Sequence, residues 1–160
     1  MNNLYHGSTR KIEGALQPVL VHASEDHVHD RASVFGTEDI STASLFMMPS
    51  DTLFSIGKEN GISYVCIWGT PEEFAQKDTG GYVYVLPRDT FEKRGKEYEW
   101  QSDVAVTPSE VRYYPSVLDG LIENGARVYF INDDKVFDEI QTHKNSRLEI
   151  LKDHAPWSRV

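Results

Sequence analysis

The 160-residue chain has a single cysteine, Cys66. One thiol closes no internal disulfide, so the fold must hold by packing and hydrogen bonding, and nothing demands an oxidising compartment. Cys66 lies in the apolar stretch 63–68 and reads as a small core side chain rather than a reactive thiol. No apolar run approaches ~18 residues, so no membrane-spanning helix is expected. The N-terminus lacks a basic start followed by an apolar stretch, which argues against a signal peptide and makes cytoplasm the expected location. Glycine-rich phosphate loops of the GxGxxG and Walker types are absent, so any bound nucleotide must be held another way. Basic residues are also scarce, with 16 Lys and Arg against 25 Asp and Glu and a net charge of -9. A field of that sign repels a polyanionic backbone, which excludes broad nucleic-acid binding and leaves room for a local dinucleotide pocket.

What is present is an ordinary globule: 39% apolar and 26% charged residues, enough for one domain that buries roughly 70% of its unfolded surface. No repeat or linker marks a domain boundary, so residues 1–160 are expected to form a single domain. Strands are expected at 4–6, 33–37, 62–69, 82–86, 97–106, 110–114 and 127–131, with turns at Gly7 and at Gly80 with Gly81. A first helix is expected after the 33–37 strand, with Ala43, Phe46 and Met47 on the apolar face and Pro49 as the stop. A second starts at Thr70 with Pro71 and Glu73, a third runs from Ser116 to a Gly125 stop, and a fourth covers 134–142. The C-terminal tail is expected to be only partly ordered. Strands outnumber helices and do not alternate with them, so the expected class is α+β with a curved antiparallel sheet, not a doubly wound parallel one.

Three constellations carry candidate chemistry. The first is Tyr5, His6, Gly7 and Ser8: histidine can bond a ribose hydroxyl, and glycine lets a flat ring approach the backbone. A plain turn has the same composition. The second is Val34, Phe35, Gly36 and Thr37, followed by Ser41, Thr42, Ala43 and Ser44. Its aromatic ring between small residues offers a stacking wall, or simply a core phenylalanine. The third is Glu110 at the head of a strand. A carboxylate there can accept from a ribose 2′-hydroxyl and favour positive charge at the adjacent anomeric carbon, or be a solvated edge residue.

Taken in order, these stretches resemble the ADP-ribosyltransferase superfamily, in its His-Tyr-Glu branch shared by poly(ADP-ribose) polymerases and diphtheria-type toxins. The likeness rests on Leu4 to Ser8, on residues 33–37 with Ser41 and Ala43, and on Ser109, Glu110 and Val111 with Val117. It covers about twenty residues, and Phe35 stands where the branch has tyrosine, which keeps stacking and loses a hydroxyl. The resemblance implies an ADP-ribosyltransferase-like fold and NAD as co-substrate. It implies that His6 holds the nicotinamide ribose, Gly7 pairs with the carboxamide, Phe35 stacks on the ring, Ser41 lines the pocket and Glu110 activates the glycosidic bond. Ser8 belongs to the same cofactor-binding stretch, and Arg10 is a phosphate contact suggested by charge alone.

The expected function is then an NAD-dependent mono-ADP-ribosyltransferase, toxin-like in size, passing ADP-ribose to a protein or other acceptor nucleophile. Two alternatives use the same fold: a catalytically silent binding module, and an NAD-using RNA 2′-phosphotransferase. The acidic charge and the few arginines count against the second. In the polar loop 22–33, His22, His27 and His29 stand near Glu25, Asp26 and Asp30. A solvated acidic loop explains that composition better than a metal site, so no metal is expected. In the family reading this loop borders the donor site as a lid.

Overall fold

The computed structural model describes residues 3–20, 32–95 and 98–159. In chain order its strands are β1 (Leu4–Ser8), β2 (Val34–Gly36), β3 (Phe54–Glu59), β4 (Ile62–Trp68), β5 (Gly81–Leu86), β6 (Phe91–Lys93), β7 (Trp100–Ser102), β8 (Glu110–Tyr114) and β9 (Arg127–Ile131). The helices are α1 (Ile40–Ser44), α2 (Pro71–Lys77), α3 (Val117–Glu123), α4 (Asp134–Thr142) and α5 (Arg147–Ile150). The strands form three small sheets, ordered β1-β5-β8, β2-β7-β6 and β3-β4-β9. A bridge between Tyr5 and Thr37 joins the first two at β1 and β2. The mixed α+β class expected from the sequence is what forms. Antiparallel pairing holds everywhere except β4 with β9, which run parallel.

β4 explains why its sequence reads as a nearly unbroken apolar run. Val65 and Ile67 face a core shared with Val83 of β5 and with Val117, Leu118 and Leu121 of α3. Tyr64 and Cys66 face the other way, into a core with Tyr129, Phe137 and Ile140 under α4 and α5. A strand buried on both faces has no polar side to show. Burial pushes the Cys66 thiol pKa up to about 12, which keeps it a neutral core group. A third core lies on the far face of β1 and β5, where Leu4, Tyr84 and Leu86 meet Leu16, Val34 and Phe91. Each fully buried side chain of this size contributes about 1.5–3 kcal/mol against exposure.

Local chemistry sets the element ends. Thr70 caps α2 by accepting from Glu73 N at 3.1 Å, and Glu73 returns the contact to the Thr70 hydroxyl. Ser116 caps α3 through Asp119 N, and Gly125, at φ 90°, turns the chain into β9. Three expectations change. β3 was not foreseen, although Asn60 (φ 51°) and Gly61 (φ 76°) make the two-residue left-handed turn that hairpins it to β4. The strand expected over 97–106 is only Trp100–Ser102, with the unforeseen β6 as its partner. Phe46, expected on the apolar face, is 54% exposed.

The C-terminal segment is tied down, contrary to expectation, through residue 159. The buried Arg147 donates from Nε to the Ile140 carbonyl at 2.7 Å and from Nη1 to the Ile56 carbonyl at 2.9 Å. Glu59 accepts from the Arg147 and Leu148 backbone N–H groups. Trp157 N–H closes on the Val128 carbonyl at 2.6 Å. No helix among the described residues is long and apolar enough to cross a membrane.

Candidate functional site

The junction of β1 and β2 is where the sheet departs from a regular ladder. Tyr5 exchanges both backbone hydrogen bonds with Thr37, at 2.7 and 3.0 Å. In an antiparallel ladder the bonding direction alternates along the strand. Tyr5 therefore bonds toward β2, His6 bonds toward Tyr84 on β5, and the Gly7 N–H and C=O point toward β2 again. Phe35 would form the next rung with Gly7. Its carbonyl instead lies 2.7 Å from His6 Nδ1. The pairing between β1 and β2 thus gives way after one rung, with an imidazole filling the gap.

The partner fixes the tautomer. A carbonyl oxygen only accepts, so Nδ1 carries the proton and Nε2 is left as an acceptor. Burial lowers the His6 pKa, outweighing the Phe35 hydrogen bond that raises it. His6 is accordingly a neutral ring at neutral pH, offering one lone pair at a buried strand break.

Gly7 is required for a second reason. A Cβ there would sit 1.9 Å from the Ala43 carbonyl oxygen of α1. The helix lies directly on this backbone, and Gly7 is buried. α1 is held by a polar knot. Asp39 caps it, accepting from Ser41 N at 2.9 Å, Ser41 Oγ at 2.7 Å, Thr42 Oγ1 at 3.1 Å and Lys58 Nζ at 2.8 Å. Burial alone would raise the Asp39 pKa, but Lys58 and the Ser41 bonds hold it below its usual value. Ser41, expected to line a pocket, is buried, with its hydroxyl bonded to Asp39 and Ser63. It braces the helix under the gap. Ser8 accepts from Arg10 N at 3.1 Å and shapes the end of β1. Arg10 is exposed at that turn.

His6 meets the Phe35 backbone carbonyl, while the Tyr5↔Thr37 bridge puts the Phe35 side chain on the Tyr5 face, opposite His6; Glu110 is brought to neither. Residues opposite one another in an antiparallel pair project to the same face. The registers Tyr5↔Val85↔Glu110 and His6↔Tyr84↔Val111 put Glu110 on the face of Tyr5 and not on that of His6. Two strand spacings, about 10 Å, separate it from β1. The His6 ring leans the opposite way, toward β2. Glu110 is 52% exposed, its side chain paired with Arg112, which holds its pKa below the usual carboxylate value.

A carboxylate that sequence reasoning passed over lies on the other side. Gly36 pairs with Trp100 and Phe35 with Gln101, and the Arg94 N–H bond to the Glu99 carbonyl continues the β6–β7 ladder one residue further. That extension puts Glu99 opposite Thr37, on the face of Phe35 and Gln101 and within diagonal reach of the Phe35 ring. Gln101 is fully buried, and its Nε2 finds no partner among the described residues. Beside Thr37 opens a polar recess of about 540 Å³ lined by Asp39, Lys58, Asn60, Lys93 and Tyr98. A second recess, about 410 Å³, lies between β8 and α3, away from the gap. The signal for Glu99 was the Glu-Trp pair opening a strand, a pattern as permissive as the one that drew attention to Glu110.

Among the described residues, no group of three or more His, Cys, Asp or Glu side chains is arranged to hold a metal ion. The loop with His22, His27 and His29, and with it the lid expectation, lies outside the described residues for 22–31. No family model, curated protein or solved structure matches this chain.

Proposed function

We propose that this domain binds NAD by its nicotinamide end at the β1–β2 gap and acts as a mono-ADP-ribosyltransferase, with Glu99 in the role first considered for Glu110. The observation that carries the reading is the broken rung. Gly7 N–H and C=O face the gap as a donor–acceptor pair, the complement of a primary carboxamide. His6 Nε2 is an acceptor for a ribose hydroxyl, and stacking is assigned to the Phe35 ring, carried on the opposite face of the neighbouring strand. The recess beside Thr37 offers room for the rest of the dinucleotide, with Lys93 and Tyr98 on its rim.

In the proposed reaction the nicotinamide–ribose bond breaks with its electron pair leaving on the ring nitrogen, which neutralises the pyridinium. The anomeric carbon becomes cationic and takes an electron pair from the acceptor nucleophile, whose proton is lost to solvent or a nearby base. A carboxylate accepting from the 2′-hydroxyl stabilises that cation. Glu99 is on the Phe35 face, where this carboxylate is needed; Glu110 is on a remote strand edge. The placement of Glu110 also favours a second reading, a silent NAD-binding module, should Glu99 not serve.

Titration calorimetry with NAD, combined with chromatographic detection of free nicotinamide, tests the proposal. Binding with nicotinamide release is expected, and His6→Ala should weaken NAD affinity roughly tenfold, the loss of one buried hydrogen bond. Binding without release would select the silent module. No NAD binding, or unchanged affinity in His6→Ala, would defeat the assignment of the gap.

A further inference from the structure

The free edge of β8 is the strongest unexplained feature of the surface. β8 ends the sheet β1-β5-β8, and among the described residues only β5 pairs with it. Natural edges are protected by proline, lysine, bulges or covering segments. β8 reads Glu-Val-Arg-Tyr-Tyr and has neither proline nor lysine. Val111 is 48% and Tyr113 53% exposed, adjacent along one face of the edge.

We propose that β8 pairs antiparallel with β8 of a second copy, with Val111 on the two-fold axis. Two features together select this register. The first is bonding direction. His6 and Tyr84 form the bonded pair between β1 and β5, so Tyr84 and Val111 are a non-bonded pair between β5 and β8. The N–H and C=O of Val111 and of Tyr113 consequently point outward, free to meet another strand. A two-fold axis through Val111, Tyr113 or the intervening Arg112 would oppose outward-pointing groups, and the Arg112 register is disfavoured because it sets Arg112 against its own copy. Centring on Tyr113 would oppose Pro115, which has no N–H, to Val111 of the partner copy. Centring on Val111 lets each Val111 exchange both bonds with its symmetry mate, while the flanking Tyr113–Ser109 rungs keep only the Tyr113 N–H as donor, because the Ser109 N–H is bonded to the Val85 carbonyl.

The second feature is charge. With Val111 on the axis, Glu110 faces Arg112 of the second copy and Arg112 faces its Glu110. Both are non-bonded pairs, the closer kind in an antiparallel ladder. The two residues already form an ion pair within one chain and are both substantially exposed. The edge is self-complementary, with unlike charges opposed on one face and Val111 against Val111 on the other. The product is a six-stranded sheet, β1-β5-β8 continued by β8-β5-β1 of the other copy.

The test is sedimentation velocity with multi-angle light scattering, at roughly 10 to 500 µM protein. A salt concentration of about 0.15 M screens the repulsion of two chains of charge -9 beyond ~8 Å. The wild type should show concentration-dependent dimer. Arg112→Glu sets four carboxylates against each other and should weaken dimerisation roughly tenfold or more. The double variant Glu110→Arg with Arg112→Glu, which swaps the charges and keeps their complementarity, should restore it. Val111→Pro removes only an outward-pointing N–H, so it should abolish the dimer while circular dichroism and melting temperature stay near wild type. Wild-type protein that is monomeric throughout, or a dimer indifferent to Arg112→Glu and to folded Val111→Pro, would overturn the proposal. So would a failure of the charge swap to rescue. None of these outcomes depends on NAD.

Discussion

The two sides of β1-β5-β8 treat polar residues in opposite ways. On the β1 side, His6 is pulled into a strand break, bonded to the Phe35 carbonyl and pushed toward its neutral form by burial. On the β8 side, Glu110 stands in solvent with Arg112 and keeps its charge. The first arrangement costs a ladder rung and desolvates an ionisable ring; the second costs almost nothing. The costly arrangement coincides with the proposed recognition site, and the cheap one does not.

Substitutions should expose that asymmetry, the largest effect falling at Gly7. Gly7→Ala forces a methyl into the Ala43 carbonyl, and about 3 kcal/mol or more of stability should be lost in urea unfolding. Val111→Ala on the opposite edge, at a half-exposed position, should lose under about 1 kcal/mol. Equal losses at the two positions would mean that α1 yields easily.

His6 comes next. His6→Ala removes the hydrogen bond to the Phe35 carbonyl and should cost about 1–2 kcal/mol at pH 7.5. Because the folded pKa of His6 is lowered, the unfolded chain binds the proton more readily. Its contribution is therefore complete above the unfolded value of about 6.5 and fades as pH falls from there toward the folded pKa. Melting temperature should drop across that window in wild type, and the drop should be shallower in His6→Gln. Identical pH profiles would show that the ring is not held neutral. Glu110→Gln, the smallest change, should leave the melting temperature where it is, since the carboxylate is solvated.

Much of the fold was legible because it is written locally. β1, β4, β5, β8 and β9 announce themselves by β-branched and aromatic runs between turn residues, and Thr70, Ser116 and Gly125 mark helix ends by chemistry confined to four residues. β3 was legible too, through Asn60 and Gly61, and was overlooked because its own six residues are all only half-buried. The parallel pairing of β4 with β9 was not legible, for it brings together residues some sixty positions apart. The candidate site divides along the same line. His6, Gly7 and Phe35 stand out by local composition, and the His6 ring meets the Phe35 carbonyl. Which carboxylate stands near the Phe35 ring, Glu99 at the end of the strand paired with β2 or Glu110 on β8, depends on pairing between distant segments. No local pattern carries that information.

The comparison between the two carboxylates is also the most direct test of the functional claim. Nicotinamide release from NAD should be measured for wild type, Glu99→Gln and Glu110→Gln, each with its melting curve as a folding control. Turnover lost in Glu99→Gln and kept in Glu110→Gln is the predicted result. Turnover kept in Glu99→Gln and lost in Glu110→Gln would contradict the account and return the chemistry to β8.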